Sequence, residues 1–199
     1  DKTSLSMWRP PEGPQFEASA VFAPISPLVQ RFDVPRSYFV FGGLVFSPFT
    51  TALMSDYFEN DTMLHLPVPI YEKSLTSWQT SDEEVILLLR VLQDEVNEGV
   101  RSSSMRILDS VEGEPVKNMK ELIHVAMSAI KEKKEYVRFG FLRFARDPGG
   151  IEVVEVMKVA DILAANARIL EEHRIPAPVS SDLTEIYDQY DVGLVDVPA

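Results

Sequence analysis

An uncharged run, Tyr38–Met54 (YFVFGGLVFSPFTTALM), constrains this chain more than any other stretch. It is too short, and too broken by Gly42, Gly43 and Pro48, to cross a bilayer. Aromatic and β-branched residues on either side of the glycine pair favour strand. Glycine at both central positions lets the backbone turn tightly or bring its amides close to another group. The run is therefore strand, glycine turn, strand. Two readings stay open: a tight turn inside a buried hairpin, or a cradle for a chain terminus or a neighbouring loop.

The rest of the chain supplies a core for that hairpin. At 199 residues it suits one domain of ordinary size, or one domain with tails, able to bury roughly 70% of its unfolded surface. Hydrophobic residues make up 45% and charged residues 25%, the balance of a globular protein. The net charge of −12 argues against nucleic acid, whose phosphates need Lys and Arg, and against anionic lipid. With no cysteine, disulfides, thiolate chemistry and cysteine-bound zinc are excluded. The start at Asp1 rather than Met implies a removed targeting segment or a boundary within a longer chain.

Periodicity orders the elements. Phe16, Ala18, Ala20 and Phe22 alternate as a short strand, and Leu5–Arg9 can pair with it across the Pro-rich turn before it. Prolines make 23–36 an extended connector and 64–70 an edge or extended segment. Thr50–Phe58 reads as a short helix. Glu84–Val91 and Met105–Val111 read as strands, with turns at Asp94–Gly99 and Gly113–Pro115. Asn118–Lys134 is a helix: Asn118 can cap it, Glu121 stands at the capping-box position, and Met119, Leu122, Ile123, Ala126, Met127 and Ile130 form one stripe. Glu135–Phe144 is apolar on both faces, as a central strand is, and the turn at Asp147–Gly150 returns the chain as Ile151–Met157. Lys158–Glu172 is a second helix with Val159, Ile162, Leu163, Ile169 and Leu170 inward, ended by Ile175–Pro176. An acidic tail follows, helical at most over Asp182–Tyr190. Strands, helix, strands, helix describe an α+β domain.

Four blocks carry a family resemblance: SPLVQRFDVPRSYFVFGGLVFSPFT (Ser26–Thr50), RVLQDEVNEGV (Arg90–Val100), VEGEPVKNMKELI (Val111–Ile123) and EEHRIPAPVSSDL (Glu171–Leu183). In order and spacing they resemble the second PDZ domain of organellar Deg/HtrA-type serine proteases, without the protease half. The resemblance implies a PDZ-like, partly open β-barrel or sheet with a capped helix, extended by a C-terminal helix and acidic tail. It implies three parts: residues 1–36 as an arm and connector, or the remnant hairpin of a preceding PDZ domain; residues 37–179 as the PDZ-like domain; and residues 180–199 as the tail. It also implies an organellar location, in a mitochondrion or plastid, and protein partners. In such domains a glycine loop presents amides to a terminal carboxylate and the ligand adds as a strand beside the next one. Carried over, the partner-binding residues are Gly42, Gly43, Leu44, Val45 and Phe46, with Met119 and Leu122 of the capped helix as the other wall. Pro48 limits how far a ligand strand can pair there, and Ser47–Phe58 can fold back over the site.

Nothing in the residues calls for catalysis. No serine lies in an elbow motif beside a histidine, and the histidines are His65, His124 and His173. His124 sits on a helix flank, and His173 ends the second helix, where a cation is favoured. The groups Asp82–Glu84, Asp94–Glu95 and Asp188/Asp191 lack calcium-loop spacing and read as solvated surface. Met119 and Met127 read as core rather than a plastic binding face. The expectation is a non-catalytic interaction or scaffold subunit with no metal and no cofactor, part of a larger assembly. The alternatives are the C-terminal regulatory segment of an active Deg-type protease, or an adaptor for free C-termini.

Overall fold

A computed structural model describes residues 2–7, 16–21, 36–50, 52–53, 83–100, 106–142 and 153–190. Two strands, β1 (Lys2–Met7) and β2 (Phe16–Val21), form an antiparallel pair of their own, with Leu5 opposite Ala18. The hairpin expected at the N-terminus is thus present, with its first strand starting earlier than Leu5.

The main sheet is antiparallel, in the order β3 (Phe39–Phe41), β4 (Leu44–Pro48), β5 (Ile86–Val91), β6 (Arg106–Val111), β8 (Tyr136–Phe141), β9 (Val153–Lys158), with the two-residue β7 (Glu114–Pro115) also on β6. β3 and β4 meet across Gly42 and Gly43, whose φ values of +56° and +84° are those a two-residue turn of the I′ type requires. Phe39, Phe41, Phe46 and Phe139 interlock behind it, with ring centroids 5.4 Å apart for Phe46–Phe139 and 5.8 Å for Phe41–Phe139. Such offset and tilted pairs add to the gain from burial alone.

Helix α1 (Met119–Lys131) closes the core with the stripe expected of it. The Asn118 side chain accepts from Glu121 N–H at 2.9 Å. The Glu121 carboxylate reaches back one residue further than a capping box requires, to Lys117 N–H at 2.8 Å. A second cap comes from outside the helix, where Glu84 accepts from Met119 N–H at 2.8 Å. The helix ends at Lys131, short of Lys134, because Lys133 turns into the left-handed region at φ +57°.

Helix α2 (Val159–Glu172) buries Val159, Ile162, Ala165, Asn166, Ile169 and Leu170. Leu163, expected inward, is 37% exposed. One helical step from Ile162 swings it about 100° off the stripe that Ile162, Asn166 and Ile169 define. The helix stops at Glu172 and the chain reverses at Arg174 (φ +55°), before Pro176 is reached. The ion pair Arg168–Asp94 (2.6 Å) ties α2 to the 3₁₀ turn Glu95–Asn97.

The packed body continues past the boundary expected at 179. Val179, Leu183 and Tyr190 belong to the same core as Phe39 and Leu122, and the short helix α3 (Thr184–Asp188) packs on α1. The readings placed on 23–35, 64–70, 147–150 and 191–199, and most of the helix at 50–58, lie outside the described residues. No helix among the described residues is long and apolar enough to cross a membrane.

Candidate functional site

The glycine turn is held from both sides by buried asparagines. Asn166 of α2 accepts from Gly42 N–H at 3.1 Å. Asn97 donates from Nδ2 to the carbonyls of Leu92 (2.6 Å) and Gly42 (3.1 Å), and its Oδ1 accepts from Asp94 N–H (3.1 Å). Leu92 N–H donates to the Gly43 carbonyl at 2.7 Å. The turn has no room for a side chain. A methyl at Gly43 would lie 2.5 Å from the Leu92 carbonyl oxygen, and one at Gly42 2.7 Å from the end of Met157.

The strand after the turn has two neighbours already. β4 pairs with β3 through Phe39–Phe46 and with β5 from Leu44–Val91 to Pro48–Ile86, so a ligand strand adding beside Leu44–Phe46 meets no free edge. Leu44 and Phe46 are buried and Val45 is half-buried. Met119 and Leu122 of α1 point into the core rather than onto a groove. Of the seven residues named from sequence, Leu44, Phe46, Met119 and Leu122 belong to one buried cluster, whereas Val45 packs against another with Val40 and Leu92.

The open edge of the hairpin is β3, and the chain fills it with its own residues. Val40 N–H donates to the Pro178 carbonyl (2.7 Å) and Ser180 N–H donates to the Tyr38 carbonyl (3.1 Å), with Phe39 facing Val179. The Ser180 hydroxyl accepts from Tyr38 N–H at 3.0 Å, and the Tyr38 hydroxyl donates to the Ala177 carbonyl at 3.2 Å. Burial pushes the Tyr38 hydroxyl's pKa up. Beyond this strand, the Ser37 hydroxyl donates to Asp182 at 2.6 Å. Tyr190 then anchors the far end. Its hydroxyl meets His124 Nδ1, and its ring lies 6.0 Å from Lys131 Nζ. His124, read as a helix-flank residue, is exposed and acts as this anchor's partner.

A cleft of about 410 Å³ lies where α1 begins, lined by Ser37, Glu84, Asn118, Met119, Lys120, Asp182 and Leu183. Part of Glu84 faces solvent, but its carboxyl end is crowded there. Burial raises its pKa above the ordinary 4.5, the Met119 hydrogen bond opposes this, the Asp182 charge adds to the rise and Lys120 offsets it. Among the described residues no His, Asp and Glu cluster has the form of a metal site.

These features coincide with a known family. A family model described as PDZ domain matches residues 27–182. The chain belongs to the PDZ domain family. The chain is similar to protease Do-like proteins of Arabidopsis thaliana. Do-like 3, mitochondrial, is 25% identical over 175 residues, covering 86% of this chain and 27% of the relative. Do-like 12, mitochondrial, is 24% identical over 174 residues, with 86% and 29% covered. Protease Do-like 2, chloroplastic, is 28% identical over 151 residues, with 76% and 23% covered. The chain therefore spans about a quarter of the length of these relatives. The resemblance read from the four sequence blocks is that of this PDZ region.

The side-chain to backbone bonding expected of Asp94 and Asn97 in their turn is present. Sequence reasoning missed the reach of Asn97 to Gly42, Asn166 and the bridge at Pro178–Ser180. Asn166 sat unremarked inside the stripe of the second helix. Its polar side chain at a core-facing position was the signal, since a buried amide demands a partner.

Proposed function

We propose that the chain works as a non-catalytic PDZ-type interaction subunit within a larger organellar assembly. One observation carries the reading. The places where a peptide could be held are filled by the chain's own residues: β4, the strand after the turn, lies between β3 and β5, Asn166 takes the Gly42 amide, and Pro178–Ser180 lies on the β3 edge. A fold closed in this way offers partners its outer surface rather than a groove. Gly42, Gly43, Leu44, Val45, Phe46, Met119 and Leu122 then support that surface from beneath. The outer face of β8 and β9 carries Tyr136, Val154 and Val156, 39%, 45% and 53% exposed, beside the charges of Arg138 and Lys158. Half-exposed apolar residues rimmed by charge are a common composition for protein contacts. The mitochondrial and chloroplastic names of the relatives support the organellar location.

The test is gentle purification of the endogenous protein, followed by size determination and intact mass. Stoichiometric co-migration with a large assembly, at a mass near 22.4 kDa, supports the subunit reading. A second reading rests on the share of the relatives that is matched: the chain as a C-terminal regulatory segment of an active Do-like protease. A much larger intact mass containing a serine-protease sequence decides for it. A third outcome, migration alone at the small mass with peptides that bind only when their C-terminus is free, would establish an adaptor and sink the subunit role.

A further inference from the structure

The main sheet has two edges, and the chain closes one of them. Pro178–Ser180 covers β3, whereas β9, at the other end of the strand order, has no strand beyond it among the described residues. The hydrogen bonds of β8 show which groups of β9 are left open. Arg138 N–H donates to the Glu112 carboxylate (2.7 Å) and the Arg138 carbonyl accepts from Glu112 N–H (2.8 Å), so Arg138 turns its backbone away from β9. Val159 N–H donates to the Glu135 carbonyl at 3.0 Å. In an antiparallel pair such bonding alternates. The bonded pairs are therefore Val137–Met157, Phe139–Glu155 and Phe141–Val153. Val154 and Val156 then present N–H and C=O to the open side, and Lys158, the N-cap of α2, adds its N–H. The side chains of the same residues are exposed on the outer face.

We infer that the β9 edge takes up an extended segment of a partner protein as a further antiparallel strand, with an acidic residue opposite Lys158 and β-branched residues opposite Val156 and Val154. The inference rests on the interaction role proposed above and gives it a mode, backbone pairing along an edge. Edge strands are commonly guarded by proline, a bulge or a charge. β9 has no proline, and its register with β8 runs from Tyr136–Lys158 to Phe141–Val153 without a shift. Its inward charge, Glu155, is neutralised by Arg106 at 2.6 Å. Lys158 remains, with no ion pair among the described residues, and it selects the partner. A second copy would bring its own Lys158 and Arg138 to the same face, and a net charge of −12 on each body. An acid opposite Lys158 instead supplies a cross-strand ion pair, and exposed Arg138 strengthens the local positive field. Apolar residues opposite Val156 and Val154 cover surface that is otherwise half-exposed.

The probe is a synthetic peptide with blocked ends, Glu-Thr-Val-Thr-Val-Thr, added to the full chain and followed by NMR. It should slow amide hydrogen exchange at Val154, Val156 and Lys158, and leave Val153, Glu155 and Met157, already bonded to β8, as they were. Replacing its glutamate by lysine should weaken binding several-fold. Methylating its two valine amides, which face β9, should abolish binding, while methylating its threonine amides, which face away, should not. Val156→Pro removes an N–H that β8 does not use, so the chain should still fold and should lose the peptide. Equal binding of the valine-methylated peptide reduces the contact to side chains and overturns the edge pairing. Equal binding of the lysine peptide, no binding up to millimolar peptide, or self-association that protects the same amides overturns it too. Native sizing tests the assembly role separately, so a large complex found without edge binding counts against this inference alone.

Discussion

Gly43 shows how a single residue fixes this fold. Its φ of +84° is one that other residues rarely adopt, and its missing Cβ lets the Leu92 carbonyl and the Asn97 amide close on the backbone. Gly113 has a similar φ of +82° but open space around it. Gly113→Ala should therefore cost about 1 kcal/mol, the conformational part alone. Gly43→Ala should cost at least ~3 kcal/mol, because the new methyl meets backbone that cannot move aside. Urea unfolding of the two variants separates these, and equal losses would show that the close approach carries no weight. The tyrosines of α3 and its end form a second pair. The Tyr187 hydroxyl is buried with no hydrogen-bond partner among the described residues, and burial, with the nearby Asp188 charge, pushes its pKa up. Tyr187→Phe removes that orphan and should leave stability unchanged or raise it by about 1 kcal/mol. Tyr190→Phe breaks the contact with His124 and should lower stability by about 1 kcal/mol. Thermal melts giving the same sign for both would contradict the assignment. At this scale the sequence disclosed the Gly42–Gly43 turn, since positive φ is a local demand. It did not disclose the asparagines that grip the turn, because Asn97 and Asn166 stand 55 and 124 residues from Gly42.

Among the elements, α1 was the most legible, because its cap residue and apolar stripe are both local signals. The cap from Glu84 was not, since it crosses from the start of β5 and depends on the tertiary fold. That cap gives the protein a pH dependence whose sign follows from the raised pKa. Below about pH 4.5, Glu84 is protonated in the folded and unfolded states and its titration contributes nothing. As pH rises from there through the higher folded value, the unfolded state releases its proton first, so stability falls and then levels off. Glu84→Gln keeps an acceptor for Met119 N–H but cannot titrate. The stability of the natural chain relative to this variant should therefore decline as pH rises past 4.5 and then level off in denaturant unfolding. A relative gain over that range would show that the hydrogen bond to Met119 outweighs burial. The strand order was partly legible too: the glycine hairpin and the β8–β9 pair follow from local turns and alternation. The segment on β3 was not, because PVSSDL reads locally as tail, and only the unpaired edge of β3 gives it a strand partner.

For the molecule as a whole, the net charge of −12 is the property most open to test. Two electrostatic effects compete when salt is added. Screening weakens the mutual repulsion of the acidic groups, which favours the compact state. It also weakens exposed ion pairs such as Lys134–Glu132, while the little-exposed Arg106–Glu155 pair, closed at 2.6 Å beside the Phe141 ring, is screened far less. Exposed pairs contribute at most about 1 kcal/mol each, and a surplus of twelve negative charges is spread over a body of one domain, so relief of repulsion should win. The melting temperature should therefore rise by a few degrees between low-salt buffer and ~0.3 M sodium chloride, where the Debye length has dropped below about 6 Å. Repeating the titration with Arg106→Met gives the control, because loss of the buried pair should lower the melting temperature at every salt concentration without changing the slope. A melting temperature that falls with salt would mean that ion pairs, not the acidic excess, govern the electrostatics of this domain. It would also point to the basic groups beside Tyr136, Val154 and Val156 as structural rather than as a rim for a partner.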